Sequence, residues 1–293
     1  MMSCSACPRK CRAERGEYSG SGACGEGLLP RVARAELHMW EEPCVSGTAG
    51  SGTVFFSRCA LRCVYCQNAS ISLGGYGKEI SVPRLREIYS ELIARGAHNI
   101  NLVNPTHFIK SVGESLTGGF SVPVVYNTSG YESVSSLKEL DGKVQVYLTD
   151  LKYALPEPAT RYSKAPDYPE AAKKAILEMY RQTKEYEIDG GGLIKKGVII
   201  RHLVLPENIE NTLRVIDWVS EAFSPGEVLF SLMSQYTPSG NLSNYPELQR
   251  RLTAEEYKEV SDYLEKSEIY DGYFQELSSA AEEYIPPFDL TGV

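Results

Sequence analysis

Cys59-Ala60-Leu61-Arg62-Cys63-Val64-Tyr65-Cys66 constrains this chain more than any other stretch of it. Thiolates at Cys59, Cys63 and Cys66, spaced Cys-x3-Cys-x2-Cys, can hold three irons of a cubane cluster. Iron–sulfur clusters are normally closed by four thiolates, so a three-cysteine loop leaves one iron position open to something else. Structural zinc sites commonly use four ligands, in Cys-x2-4-Cys pairs separated by a longer stretch. The absence of an obvious local fourth ligand argues against zinc here. A disulfide reading needs an oxidising compartment and paired cysteines. A cluster loop is the leading reading, with zinc or inert thiols as its alternatives.

The rest of the chain narrows the setting. Its 293 residues, 42% of them hydrophobic, can build one large domain or two small ones. No apolar run approaches a membrane span, and Met1-Met2-Ser3-Cys4 opens no secretory hydrophobic region, so a cytoplasmic protein without a membrane anchor is expected. A net charge of −8 gives no support to nucleic-acid binding through bulk electrostatics. Eight cysteines without an export signal suggest metal chemistry in a reducing compartment.

After residue 50, β-rich runs alternate with helical patterns. Residues 53–57, 99–103, 122–127, 144–150, 198–205 and 228–233 read as strands. Helices are expected from Ser81 as N-cap to Gly96, near 133–140, over 168–186, over 210–222, and over 253–266 with Thr253 and Glu256 as a capping box. Six strands alternating with helices imply a parallel sheet. A doubly wound sheet and a barrel both fit that alternation. In α/β barrels, function gathers at the carboxyl ends of the strands. Those ends carry Cys59, Asn104-Pro105-Thr106-His107, Asn127-Thr128-Ser129-Gly130, Asp150-Leu151-Lys152, Arg201-His202 and Gln235-Tyr236.

The cysteine spacing, with an aromatic residue before the last cysteine and Phe55-Phe56 upstream, resembles the radical S-adenosylmethionine (SAM) superfamily. Within it the chain resembles the activating enzymes of pyruvate formate-lyase and related glycyl-radical enzymes. Glu41-Glu42-Pro43-Cys44-Val45-Ser46-Gly47 through Cys66-Gln67-Asn68 is similar to an uncharacterised branch of that family, and the similarity weakens along the rest of the chain. The resemblance implies a partial (β/α)6 TIM-type barrel, a [4Fe–4S] cluster on Cys59, Cys63 and Cys66, and SAM chelated at the open iron. It implies reductive cleavage of SAM to a 5′-deoxyadenosyl radical that abstracts hydrogen from a substrate, such as a glycyl residue of a partner enzyme. A reductant protein such as flavodoxin or ferredoxin is the implied electron donor. The alternatives are radical modification of a peptide, an RNA or a small metabolite, or a non-catalytic metal-binding interaction module.

Carried over residue by residue, the resemblance places Tyr65 by the adenine and Asn68 in contact with SAM. Asn127-Thr128-Ser129-Gly130 and Asp150-Leu151-Lys152 match segments after the third and fourth strands. There Lys152 neutralises the SAM carboxylate, and the acidic groups help to hold a monovalent cation. Arg201 and Leu203 fall where the fifth strand touches SAM. Two departures stand out. Asn127 replaces an acidic residue, which leaves the cation site one charge short. Asn104-Pro105-Thr106-His107 replaces a Gly-Gly-Glu segment that receives the SAM amino group, so either Asn104 or Thr106 must substitute or the pose of SAM must shift. His107 reads either as a proton donor or substrate contact or as a helix-start residue, and His202 as a core histidine.

Cys4, Cys7, Cys11 and Cys24 form a separate set in a polar segment too short for a core of its own. A second metal, zinc or an auxiliary iron–sulfur cluster, would supply folding energy there. Cys44 reads as a buried apolar thiol. The expected organisation is a cysteine-rich extension over 1–50, the barrel over 51–275 and a tail over 276–293.

Overall fold

A computed structural model describes residues 4–275 and 286–293 of the chain. Strand β1 (Arg31–His38) pairs antiparallel with β2 (Ser51–Phe56), and β3 (Lys78–Glu79) lies on the other side of β1. β2 begins a run of parallel strands that follow one another in space as in sequence: β4 (Ile100–Val103), β5 (Val124–Thr128), β6 (Val146–Asp150), then β8 (Ile194–Leu203) and β9 (Leu229–Met233). The short β7 (Glu187–Ile188) folds back on β8, and β10 (Gly272–Phe274) extends the sheet beyond β9. The sheet runs from β10 to β3 without closing, and its parallel strands keep their sequence order with none of the reversal of a doubly wound sheet: it is the expected open, partial (β/α)6 barrel.

Helices connect the strands. α1 (Pro43–Ser46) precedes β2, and α2 (Ala69–Ser72) follows the cysteine loop. α3 (Val82–Ala94), α4 (Ile109–Ser115) and α5 (Val134–Leu137) precede β4, β5 and β6. α6 (Pro156–Ser163) and α7 (Tyr168–Thr183) fill the β6–β8 connection, α8 (Ile209–Ala222) leads to β9, and α9 (Ala254–Leu264) to β10. Ser81 caps α3 by accepting from the Arg84 amide at 3.2 Å. Its apolar face buries Leu85, Ile88, Tyr89 and Leu92, each of order 1.5–3 kcal/mol relative to exposure. Thr253 and Glu256 form the expected capping box.

Period-2 alternation sorts each strand's side chains onto two faces. Val125, Val146, Leu148, Ile199 and Leu229 form a buried cluster with Cys44 and Val45 of α1, while Val124, Tyr126, Tyr147, Val198, Ile200 and Phe230 join the helix-side core. Continuing the first set toward the carboxyl ends gives Asn127, Asp150, Arg201 and Leu203. The same alternation that fills the barrel therefore aims these polar residues at its mouth.

Several boundaries differ from expectation for local reasons. α7 ends at Thr183, three residues early, because Lys184 takes φ +59° and breaks the ladder. α6 is hidden by Pro156 and Pro158, yet both lie in its first turn, where a missing N–H costs nothing. β1 lies within 1–50 but belongs to the main sheet. A register shift between Val32 and Arg34 interrupts its alternation, which removes the usual strand signal. Of the expected tail, residues 276–285 lie outside the described residues. Residues 286–293 pack on β1, with Leu290 N donating to Ala33 O at 3.0 Å and Ala35 N to Thr291 O at 2.8 Å.

Candidate active site

A cavity of about 280 Å³ opens at the carboxyl ends of the parallel strands. Cys59, Cys63, Cys66, Tyr65, Asn68, Asn104, Asn127, Thr128, Asp150, Lys152, Arg201 and Leu203 all line it. The register explains the convergence. Val103 pairs with Asn127 and Asp150 with Arg201, so the strand ends are level around one rim. Pro286, beyond the barrel in sequence, also lines the cavity.

The three thiols ring part of this wall, and each receives one hydrogen bond from a neutral side chain. Asn104 Nδ2 donates to Cys59 Sγ at 3.0 Å, Ser163 Oγ to Cys63 Sγ at 3.2 Å and Ser72 Oγ to Cys66 Sγ at 3.2 Å. Burial pushes the Cys59 thiol up to about 12 and also raises Cys66, despite the Ser72 hydrogen bond. As bare thiols Cys59 and Cys66 stay protonated at neutral pH, and nearby positive iron is what would hold them as thiolates. Among the described residues, no group of three or more His, Cys, Asp or Glu side chains is arranged to hold one metal ion. A cubane asks for something else: each thiolate binds its own iron, so the thiols must surround a volume instead of meeting at a point. Three thiols around one cavity, Cys59 and Cys63 buried and Cys66 half-buried, none in a disulfide and each with a hydrogen-bond donor, fit that requirement.

Facing them is a charged network. Arg201 donates from Nε to Asp150 Oδ1 at 3.0 Å, from Nη1 to Glu41 Oε2 at 3.0 Å and from Nη2 to Asn127 Oδ1 at 2.7 Å. Lys152 Nζ lies 2.6 Å from Asp150 Oδ2. Burial works to raise the Asp150 carboxyl, but Lys152 and Arg201 outweigh it and hold the group below its ordinary value. Burial likewise opposes charge on Lys152, yet Asp150 keeps it raised. Glu41 is the residue missed by sequence reasoning. It accepts from Asn127 Nδ2 at 3.1 Å and Asn101 Nδ2 at 2.9 Å, so it supplies a carboxylate beside the position where Asn127 lacks one. The adjacent Glu41-Glu42 pair was the available signal. Glu42 is pushed toward neutrality by burial.

The strand-end loops are held from behind. Gly130 has φ +76°, and a Cβ there would fall 2.1 Å from Asp150 O, so only glycine fits this turn. Tyr168 OH accepts from Lys152 N at 2.9 Å and lies 2.8 Å from Ser129 O. Thr106 is buried outside the cavity wall and donates to Glu132, as Thr128 also does. Of the two expected substitutes, only Asn104 therefore reaches the cavity. Burial raises the Glu132 carboxyl to about 7.

His107 does not line the cavity. It is 2% exposed, its Nε2 lies 2.9 Å from Ser57 O, and burial lowers it to about 3. The helix-start reading holds for it. His202 is a core histidine, with Nδ1 2.6 Å from Leu151 O and Nε2 2.9 Å from Thr212 Oγ1. Cys44 is buried, with its thiol raised to about 11 by that burial.

Cys4, Cys7, Cys11 and Cys24 lie outside the cavity wall. Burial pushes the Cys7 thiol up to about 12 and raises that of Cys24, and Cys4 adds to both shifts. Between them, Arg9 clamps the cysteine loop. It donates to Ala60 O at 2.9 Å, Leu61 O at 3.0 Å and Ser163 O at 2.7 Å, and also to Lys164 O.

No family model matches the chain. The uncharacterised protein MJ0674 of Methanocaldococcus jannaschii is 32% identical over 246 residues, covering 80% of this chain. The chain spans 66% of that relative, just under two thirds of its length. Among solved structures, Streptococcus suis SuiB bound to precursor peptide SuiA aligns with a TM-score of 0.49 and 12% identity, over 78% of this chain and 49% of SuiB. Methylornithine synthase (PylB) aligns with a TM-score of 0.49 and 13% identity, over 79% of this chain and 63% of that one. No helix among the described residues is long and apolar enough to cross a membrane.

Proposed function

We propose that this protein is a radical SAM enzyme, with Cys59, Cys63 and Cys66 holding a [4Fe–4S] cluster at the wall of the strand-end cavity. The observation that carries this reading is that three donor-supported thiols and the Lys152–Asp150–Arg201 ion-pair network line one cavity. When bound, the cluster supplies an electron that splits SAM and yields the 5′-deoxyadenosyl radical for hydrogen abstraction.

The chain's own residues bind and orient. Lys152, held cationic by Asp150, pairs with the SAM carboxylate in a site where burial strengthens the attraction. Asn104 takes the place of the missing Gly-Gly-Glu segment. Tyr65 and Leu203 provide the apolar surface for the adenosyl group, and Asn68, Thr128 and Arg201 its polar contacts. Asp150 and Glu41 offset Lys152 and Arg201, so the network balances without an added cation. The protein's part is positioning and exclusion of water, while the cofactor carries the chemistry.

For the substrate, a glycyl residue of a partner protein is the leading proposal, with a reductant protein such as flavodoxin or ferredoxin as electron donor. Barrels that are open on one side, as this one is, can admit macromolecules, although fold does not set substrate. Eight free thiols suit a reducing, cytoplasmic compartment. A second metal site on Cys4, Cys7, Cys11 and Cys24, zinc or an iron–sulfur cluster, is the accompanying proposal; it rests on their spacing in the sequence, and metal analysis of a Cys7→Ser, Cys24→Ser variant would test it.

The deciding experiment is anaerobic reconstitution with iron and sulfide, followed by measurement of 5′-deoxyadenosine from SAM under a strong reductant. Product that disappears in Cys63→Ala is the expected result. A fully loaded cluster that forms no product sinks the SAM-cleaving assignment and leaves the metal-binding module in its place.

A further inference from the structure

A chain of buried hydroxyls leads from the cavity to Cys63. Tyr65 OH lies 2.8 Å from Tyr153 OH, Tyr153 OH lies 2.9 Å from Ser163 Oγ, and Ser163 Oγ lies 3.2 Å from Cys63 Sγ. Tyr65 is 5% exposed, Tyr153 0% and Ser163 2%, so water does not compete for these bonds. Of the chain, Tyr65 and Cys63 line the cavity, while Tyr153 and Ser163 lie behind its wall.

Proton counting gives this chain one direction. A thiolate only accepts, and each hydroxyl has one proton to give. Ser163 must spend its proton on Cys63, so it accepts from Tyr153. Tyr153 has then spent its own and accepts from Tyr65. The last free lone pairs belong to Tyr65, at the cavity. Hydrogen bonds in such a series polarise one another, so the Ser163–Cys63 bond is stronger than an isolated one.

We propose that Tyr65, Tyr153 and Ser163 act as a directional hydrogen-bond relay that raises the reduction potential of a cluster bound at Cys63. The inference rests on the cluster reading above. Reduction adds negative charge to the cluster and its sulfurs, and a donor aimed at a ligand sulfur stabilises that charge. Hydrogen bonds to cluster sulfurs are among the factors that set such potentials. Asn104 and Ser72, by contrast, both line the cavity, and among the described residues Ser163 is the one side-chain donor to these thiols that does not. Ser163 and Tyr153 are positioning residues in this scheme, since neither contacts the cavity.

The test is an EPR-monitored redox titration of the reconstituted protein, with dithionite or titanium(III) citrate and mediators. Ser163→Ala is expected to lower the midpoint potential enough to cut the reduced-to-oxidised ratio at a fixed potential about tenfold, roughly 59 mV for one electron. Tyr153→Phe should shift it the same way by less, because Ser163 still donates. The double variant should match Ser163→Ala, because Tyr153 acts through Ser163. Ser163→Thr, which keeps the hydroxyl, should restore the wild-type value and serve as the folding control. An unchanged potential in a loaded Ser163→Ala protein overturns the relay but spares the cluster. A Tyr153→Phe effect that persists in full without Ser163 also overturns it. If iron and sulfide analysis finds no cluster in the wild-type protein, the relay falls together with the reading beneath it.

Discussion

Asp150 on β6 and Arg201 on β8 are cross-strand partners, and their side chains meet with Arg201 Nε 3.0 Å from Asp150 Oδ1. Backbone register and ion pairing thus specify the same alignment. This matters because the pair lines the cavity, where Asp150 is buried and Arg201 half-buried, and each charge needs its partner.

Arg201→Met should destabilise the protein by about 3 kcal/mol, since Glu41 loses its charged partner and Asp150 keeps only Lys152. Urea unfolding of the unliganded protein measures this. A loss under 1 kcal/mol would show that water reaches these carboxylates.

Lys152→Met should weaken SAM binding about tenfold or more, equivalent to about 1.4 kcal/mol, with little effect on iron content. Calorimetric titration of SAM into the reconstituted protein is the check. Unaltered affinity would remove Lys152 from the carboxylate role.

Glu132 makes stability depend on pH. Its folded-state value of about 7 lies above the ordinary 4.5, so the folded form holds the proton more tightly. That contribution is fully present below pH 4.5 and is lost as pH rises through 7. Glu132→Gln should therefore flatten a decline worth about 3 kcal/mol between pH 4.5 and 8. Thermal melts of both proteins across this range test it, and parallel curves would refute it.

Arg9→Lys should loosen the cysteine loop without touching a thiol. Lysine lacks the planar fork that reaches the carbonyls of Ala60, Leu61 and Ser163. Amide exchange across residues 60–64 should rise about tenfold or more. Exchange equal to wild type would mean that the loop holds itself.

Much of this site was legible because its residues follow strand ends. Asn127, Asp150 and Arg201 each close an apolar run, and a parallel sheet brings such ends together. Ser163 and Tyr153 were not legible. Their roles come from α6 and the loop before it, and a proline-rich stretch says little about which thiol will face it. Glu41 precedes its partner Arg201 by 160 residues, a separation that no local pattern spans.

The sequence by itself determined the three-cysteine loop, the alternation of strands and helices, and the polar residues that end each strand. These are local properties, carried by spacing, periodicity and capping. Only the tertiary structure decided that the sheet stays open, that Glu41 supplies the carboxylate absent at Asn127, and that Thr106 turns to Glu132 and away from the cavity. Those outcomes depend on strand register and on which buried polar groups find partners across distant segments. Both are settled by packing the whole chain at once.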